Sequence, residues 1–268
     1  LGAELIPPLS LVCDEIGIYY DPTNPSRLEQ LITDRRTLRP DQTLRAERII
    51  ANYRKLGLSK YNVGADAPAL PEGHRILVPG QVEDDASIRL GTKDIATNAD
   101  LLTAVRRDFP DAFIIYKPHP DIEAGLRPGT IDPLKVSLLA DDIATNVSAT
   151  DALETVDEVW TITSLLGFEA LLRGKHVVTF GAPFYAGWGL TEDRGDIPAR
   201  RTARPSLEGL IHAALIDYPM YRDPVSGLPC EVEVIVERLA AGQGQAGAAG
   251  RFLSKLQGMA ASYTWLWR

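Results

Sequence analysis

The sequence is short of cysteine, long apolar runs and basic charge, and each shortage excludes a class of protein. Only two cysteines, Cys13 and Cys230, occur in 268 residues, far apart, so neither a disulfide framework nor a cysteine metal site is indicated. No apolar run approaches the length of a membrane span, and no basic-then-apolar leader opens the chain, so we expect a soluble cytoplasmic protein. Lys and Arg number 28 against 36 Asp and Glu, and the net charge of −8 excludes nucleic-acid binding through overall charge.

The motifs of several enzyme classes are also missing. The four histidines show no metal-ligand spacing, and neither a G-x-S-x-G elbow nor a P-loop occurs. A literal G-x-G-x-x-G at Gly242, Gly244 and Gly247 follows a predicted helix instead of a strand, inside a glycine-rich stretch. These observations argue against a serine hydrolase, a P-loop kinase and a conventional dehydrogenase, and we expect no metal.

Strand and helix patterns alternate along most of the chain. Apolar runs predict strands at 76–78, 112–116, 158–162 and 176–180. Helical patterns cover 27–33, 41–56, 98–108, 151–156, 164–173, 206–218 and 231–240, whereas 9–20 predicts two strands joined by a turn. Strands separated by helices of this length are typical of βαβ units and a parallel sheet. Ligands of such sheets bind beyond the carboxyl ends of the strands, so the candidate site residues are those that follow each strand.

Three successive carboxylates, Glu83, Asp84 and Asp85, follow the first of these strands, between Gln81 and Ser87. They predict either a solvated acidic loop, with Asp84 and Asp85 capping a turn, or carboxylate chemistry on a sugar. In the second case one carboxylate attacks or stabilises an anomeric centre and another moves protons.

The next strand ends at Lys117 and at His119, which stands between Pro118 and Pro120. The prolines restrict the histidine backbone, and the lysine adds positive charge. The segment suits a phosphate or a sugar carboxylate, because both are anions that need hydrogen-bond donors. A plain loop is the alternative.

The last two strand ends carry a helix start and an aromatic loop. Ser164 is predicted to cap a helix whose amides favour phosphate, Gly167 lets a ligand or a neighbouring backbone approach, and Glu169 is placed to accept hydrogen bonds from ribose or base. An ordinary capped helix is the alternative. In the loop 181–193, Tyr185 and Trp188 lie among glycines, where they either stack on a sugar or base or pack beneath the loop.

Four segments together resemble one protein family. They are QVEDDAS at 81–87, KPHP at 117–120, TSLLGFEAL at 163–171 and PFYAGWGLT at 183–191. In this order they resemble bacterial capsule polysaccharide biosynthesis proteins of the KpsC/LipB type, over roughly residues 1–239. The resemblance implies an α/β, GT-B-like glycosyltransferase with a Rossmann-like parallel-sheet nucleotide-binding domain and an incomplete first lobe. It also implies transfer of the acidic sugar Kdo from CMP-Kdo to a Kdo/phosphatidylglycerol glycolipid, with retention of the anomeric configuration.

The resemblance also implies roles for individual residues. Asp85 is the favoured nucleophile, with Glu83 and Asp84 as candidates for proton transfer. His119 and Pro120 bind the CMP phosphate, and Ser164 belongs to the serine/threonine motif at the start of a helix. The full set of predicted donor-binding residues is Gln81, Ser87, Lys117, His119, Pro120, Ser164, Gly167, Glu169, Tyr185 and Trp188.

The implied organisation has four parts. Residues 1–60 form the remainder of an acceptor-side lobe with linking helices, 61–204 the donor nucleotide-binding domain, 205–240 closing helices, and 241–268 a flexible linker with a C-terminal helix. No cofactor is expected, and the partners are CMP-Kdo, a lipid-linked glycan acceptor and capsule assembly or export proteins at the inner face of the inner membrane. Two alternatives stay open: another cytidine-nucleotide transferase, of the glycerophosphate type, and a non-catalytic capsule assembly component.

Overall fold

The computed structural model describes residues 8–57, 71–123, 125–145 and 147–243. The predicted C-terminal helix, most of the glycine-rich stretch and the boundary at residues 60/61 lie outside these ranges. By their contacts, the described residues between 14 and 214 form one unit, and residues 8–13 with 215–243 form a second.

Strands occupy all four positions at which apolar runs predict them, and the described residues contain nine strands in total. They are β1 Ser10–Val12, β2 Arg75–Pro79, β3 Phe113–Lys117, β4 Asp142–Ile143, β5 Glu158–Thr161, β6 His176–Thr179, β7 Glu192–Asp193, β8 Pro219–Arg222 and β9 Pro229–Cys230. The helices are α1 Arg27–Asp34, α2 Pro40–Lys55, α3 Ala86–Gly91, α4 Asn98–Asp108, α5 Pro120–Glu123, α6 Pro133–Leu139, α7 Ala149–Glu154, α8 Leu165–Leu172, α9 Leu207–Ile211 and α10 Val232–Ala240, with a π-helix at His212–Asp217. Among the described residues, no helix is long and apolar enough to cross a membrane.

The larger unit is built on a six-stranded sheet of order β4-β3-β2-β5-β6-β7, in which every neighbouring pair is parallel. The predicted α/β parallel-sheet fold is therefore confirmed. From β2 the chain adds β3 and β4 on one side, then returns to add β5, β6 and β7 on the other. The strand order reverses between β2 and β5, and such a switch point is where open parallel sheets bind ligands.

The strands bury nearly continuous apolar runs, as parallel strands covered by helices on both faces do. Ile76, Val78, Ile114 and Val178 are fully buried, and Trp160 packs among them in the same core. The core thus anchors the strands whose ends carry the polar motifs.

Two local predictions differ from the structure. Residues 16–20 form no strand, because the Asp14 carboxylate accepts hydrogen bonds from the amides of Ile16 and Gly17 and closes a turn there. Asn98 was predicted to cap the helix at 98–108, but the cap of α4 is Thr97, whose hydroxyl accepts a hydrogen bond from the Asp100 backbone amide, and Asn98 is the first helical residue. The short strands β4, β7, β8 and β9 and the helices α3, α5 and α6 were not predicted.

The contacts divide the chain differently from the predicted domain boundaries. The predicted first segment extends to residue 60, but α1 and α2 belong to the parallel-sheet unit, since α2 packs against α8 and α9. At the end of α2, Arg54 donates a hydrogen bond to the Leu172 carbonyl, and the Arg173 guanidinium lies 5.4 Å from the Tyr53 ring centre. The chain after residue 214 leaves this unit because β8 pairs with β1.

The smaller unit consists of the antiparallel sheet β1-β8-β9 and helix α10. The buried Asp223 joins its parts, because it accepts hydrogen bonds from Arg238 Nε at 2.9 Å and from Ser226 Oγ at 2.8 Å. The Arg238 guanidinium, with neighbouring amides, holds the pKa of Asp223 well below its usual range.

Candidate functional site

A cavity of about 620 Å³ opens at the carboxyl ends of β2, β3 and β5, within the larger unit. Four of the thirteen predicted site residues, Glu83, Asp84, Gly167 and Trp188, do not line it, and the other nine do. Among the described residues, no three His, Cys, Asp or Glu side chains cluster closely enough to hold a metal ion.

The three successive carboxylates point to different places. Glu83 Oε1 accepts a hydrogen bond from the Asn98 amide at 2.8 Å, at the start of α4. Asp84 Oδ1 lies 2.8 Å from Arg127 Nη2 in an exposed ion pair. Only Asp85 lines the cavity. The structure therefore separates the three predicted catalytic carboxylates and leaves one of them facing the cavity.

Asp85 also caps α3, so the alternative in which Asp84 and Asp85 cap a turn was right for a cap at Asp85, whereas Asp84 forms an ion pair instead. Its Oδ1 accepts from the Ser87 amide at 2.9 Å and from the Ser87 hydroxyl at 2.7 Å. The Ser87 hydroxyl lies 3.3 Å from Thr163 Oγ1, which in turn accepts from Gln81 Nε2 at 3.0 Å. This chain of hydrogen bonds fixes the orientation of the Asp85 carboxylate, because each member is held by the next.

Gln81 joins the ends of β2 and β5. Its buried Oε1 accepts hydrogen bonds from Thr161 Oγ1 at 3.0 Å and from the amides of Ile162 and Thr163, both at 3.1 Å. The predicted contact between Gln81 and a donor stays a prediction, whereas its observed contacts shape the cavity floor at the sheet's switch point.

The basic residues of the second strand end face the same cavity. Lys117 is buried and donates a hydrogen bond to the Val147 carbonyl, and its burial lowers the pKa of its ammonium. His119 Nδ1 accepts from the Asp121 amide at 3.1 Å. In the neutral ring this contact places the proton on Nε2, so the ring can donate from that atom.

Gly80 allows β2 and β3 to approach closely enough for this arrangement. A Cβ atom at Gly80 would lie 2.7 Å from Tyr116 Oη and 3.2 Å from the His119 amide nitrogen. Gly80 directly follows β2 and was not among the predicted site residues. The close approach of two strand ends is a tertiary fact that a single glycine in a sequence does not reveal.

The start of α8 forms another wall of the cavity. Ser164 caps the helix, with Oγ accepting from the Leu166 amide at 3.2 Å, as predicted. The space that Gly167 leaves is taken by Tyr185, since a Cβ atom there would lie 2.3 Å from Tyr185 Oη. Gly167 thus permits side-chain packing and not the predicted approach of a ligand or a backbone. Glu169, in the second turn, is buried and lines the cavity.

The two predicted aromatic residues have different positions. Tyr185 lines the cavity, is fully buried and donates a hydrogen bond to the Ser164 carbonyl, and burial raises the pKa of its hydroxyl. Trp188 is buried away from the cavity, with Nε1 donating to the Phe184 carbonyl at 2.8 Å. The packing interpretation therefore describes Trp188, because its ring has no access to the cavity.

Several cavity residues were not predicted as site residues: Tyr19, Tyr20, Arg127, Thr163 and Phe184. The tyrosines lie in a segment that was interpreted as a strand, and Arg127 lies in a stretch without periodicity. Phe184 is adjacent to Tyr185 in the sequence. Its position in an aromatic loop that follows a strand is the signal from which it could have been predicted as a site residue. The hydrogen bond from Arg127 to Asp84 raises the pKa of the guanidinium, which stays charged.

The chain belongs to the capsule polysaccharide biosynthesis protein family, whose profile matches residues 5–62 and 61–222. It is 46% identical over 246 residues to the lipopolysaccharide-processing protein LpsZ of Rhizobium meliloti, covering 90% of this chain and 56% of LpsZ. It is 48% identical over 228 residues to the capsule polysaccharide modification protein LipA of Neisseria meningitidis serogroup B, covering 84% of this chain and 32% of LipA. The chain thus spans about half of one relative and a third of the other.

Two solved structures from Thermosulfurimonas dismutans share the fold. The KpsC beta Kdo 2,7 transferase has a TM-score of 0.76 and 40% identity, covering 87% of this chain and 73% of that one. The KpsC beta Kdo 2,4 transferase has a TM-score of 0.79 and 36% identity, with coverages of 87% and 74%. These similarities confirm the KpsC/LipB-type resemblance and the GT-B-like fold class.

Proposed function

We propose that the chain is a retaining glycosyltransferase that moves Kdo from CMP-Kdo to a Kdo/phosphatidylglycerol glycolipid during synthesis of the capsular polysaccharide linker. The observation that carries this proposal is a single cavity lined by one capped carboxylate, Asp85, by His119 and Lys117, and by the start of α8. The similarity to two β-Kdo transferases over most of the chain supports it.

In the first step, an Asp85 oxygen attacks the anomeric carbon of the donor and forms a carbon–oxygen bond. The bond from that carbon to the phosphate oxygen breaks, and CMP leaves with the electron pair. His119 Nε2–H and the amides at the start of α8 are placed to stabilise the negative charge on the leaving phosphate. Lys117 adds positive charge beside them.

In the second step, an acceptor hydroxyl attacks the same carbon and releases Asp85 as a carboxylate, while the hydroxyl proton passes to solvent water. Two successive displacements restore the original configuration. Neither Glu83, which is bonded at the start of α4, nor Asp84, which pairs with Arg127, lines the cavity itself, so we assign this proton to neither of them.

The first test is protection by ligand. CMP at about one hundred times its dissociation constant should stabilise the folded chain by roughly 2.7 kcal/mol, which thermal unfolding detects as a higher Tm. CMP-Kdo should protect at least as well, and CDP-glycerol should not. A larger shift with CDP-glycerol would favour the glycerophosphate alternative, and no shift at millimolar CMP would favour the non-catalytic one.

The second test removes one anion contact. His119→Ala should weaken CMP binding about tenfold, or roughly 1.4 kcal/mol, because one charge-assisted hydrogen bond is lost. Isothermal titration calorimetry measures this change. The matched control is His176→Ala, since His176 is exposed and begins β6 at the opposite end of the sheet. Equal CMP affinity in the His119 variant and the wild type would remove the assigned role.

We also propose where the reaction takes place. A phosphatidylglycerol-linked acceptor exposes its sugar at a membrane surface, so the inner face of the inner membrane is the expected site. Capsule assembly and export proteins are the expected neighbours there.

A further inference from the structure

Two half-exposed tyrosines form a wall of the cavity that the donor-binding residues leave unassigned. Tyr19 and Tyr20 are 39% and 40% exposed, and both line the cavity. Their rings meet edge to face with centroids 5.4 Å apart, and Tyr19 meets Phe184 in the same way at 5.9 Å. Neighbouring aromatic rings left in water at the edge of a cavity are typical of a surface that a ligand covers.

The segment that carries the two rings is held firmly. Asp14 accepts hydrogen bonds from the Gly17 amide at 3.0 Å and from the Arg27 amide at 2.9 Å. A Cβ atom at Gly17 would lie 2.3 Å from the Pro25 carbonyl oxygen, so the backbone is in tight contact there. Arg200 Nη2 donates to the Pro22 carbonyl at 2.6 Å. A ligand that stacks on these rings therefore loses little binding free energy to ordering them.

The other walls of the cavity suit the donor. In the proposed function, the phosphate is assigned to the start of α8 and His119, the nucleoside to Glu169 and the reacting sugar to Asp85, all of which line the cavity. An acceptor glycan differs from the donor because it continues into a larger molecule and must leave the cavity toward solvent. The rings of Tyr19 and Tyr20 line the cavity and are also partly exposed to solvent, so a glycan stacked on them can continue out of the cavity.

We propose that Tyr19 and Tyr20 form the acceptor subsite, on which the terminal pyranose ring of the acceptor glycan stacks with its attacking hydroxyl turned toward Asp85. This rests on the proposed transferase function and specifies which surface holds the second substrate.

The experiment is a titration of the chain with a soluble glycoside that ends in a β-Kdo residue, at saturating CMP. Saturation-transfer NMR measures the binding of the glycoside at each concentration. Tyr20→Ala should weaken glycoside binding about tenfold, because half of the stacking surface is removed. Tyr20→Phe keeps the ring and should stay within about twofold of the wild type. Leu44→Ala is the matched control, since Leu44 is an exposed apolar residue of α2 outside the cavity lining.

CMP affinity, measured on the same variants by calorimetry, should be unchanged. A tenfold loss of CMP affinity in Tyr20→Ala would place the cytosine base on these rings and overturn the proposal. Wild-type chain that binds CMP but not the glycoside, or Tyr20→Ala that binds the glycoside normally, would also overturn it. Wild-type chain that binds the glycoside but not CMP would contradict the proposed donor and leave the acceptor subsite standing.

Discussion

Asp85→Asn is expected to reduce Kdo transfer by about a thousandfold or more while CMP affinity stays nearly unchanged. The amide keeps the shape of the side chain but cannot form the covalent bond to the anomeric carbon. Because asparagine caps helices about as well as aspartate, α3 and the folded state should be preserved. The measurement is the rate of transfer from CMP-Kdo to a Kdo-bearing glycolipid by the full-length protein, with CMP titration as the binding control.

The neighbouring carboxylates provide matched comparisons. Glu83→Gln keeps an acceptor for the Asn98 amide, and Asp84→Asn removes only an exposed ion pair with Arg127. Both variants should slow transfer far less than Asp85→Asn, because neither side chain lines the cavity. If activity survived in Asp85→Asn and was lost in one of the others, the nucleophile would be that neighbour. Activity in all three would remove the carboxylate mechanism.

The largest expected loss of stability is at Glu29. Its carboxylate contacts Arg201 Nε at 2.7 Å and Arg200 Nε at 2.6 Å. Arg201 is 4% exposed, and its Nη1 donates to the Pro183 and Ala186 carbonyls at 2.6 and 2.9 Å, which holds the aromatic loop beside the cavity. Burial lowers the pKa of Arg201, and Glu29 opposes that shift.

Glu29→Gln should therefore cost about 3–5 kcal/mol in the free energy of unfolding, because a buried guanidinium loses its counter-charge. Urea denaturation measures this change. The matched control is Asp41→Asn, which breaks the fully exposed Arg39–Asp41 pair and should leave stability nearly unchanged. A loss in Glu29→Gln as small as that of the control would show that Arg201 is held by the loop carbonyls alone.

The alternation of strands and helices could be predicted from the sequence because both signals are local. A buried parallel strand is a short apolar run, and α2 shows its apolar positions at helical spacing. Ser26 and Ser164 cap helices where the sequence placed their starts, and Gly174 ends α8 at a φ of +72°. Residues from the polar motifs that follow the strands line one cavity, because the carboxyl ends of parallel strands share one edge of the sheet.

By itself the sequence determined the parallel-sheet fold, the family resemblance and nine of the residues that line the cavity. Only the tertiary structure decided which of the three successive carboxylates faces that cavity. Glu83 bonds to Asn98, 15 residues away in the sequence, and Asp84 bonds to Arg127, 43 residues away, so neither lines it. The tertiary structure also brought Tyr19 and Tyr20 to the cavity and buried Trp188 beneath its loop. The physical reason is that spacing along the chain determines which residues follow a strand, whereas the direction of a side chain depends on the distant groups that bond to it or pack against it.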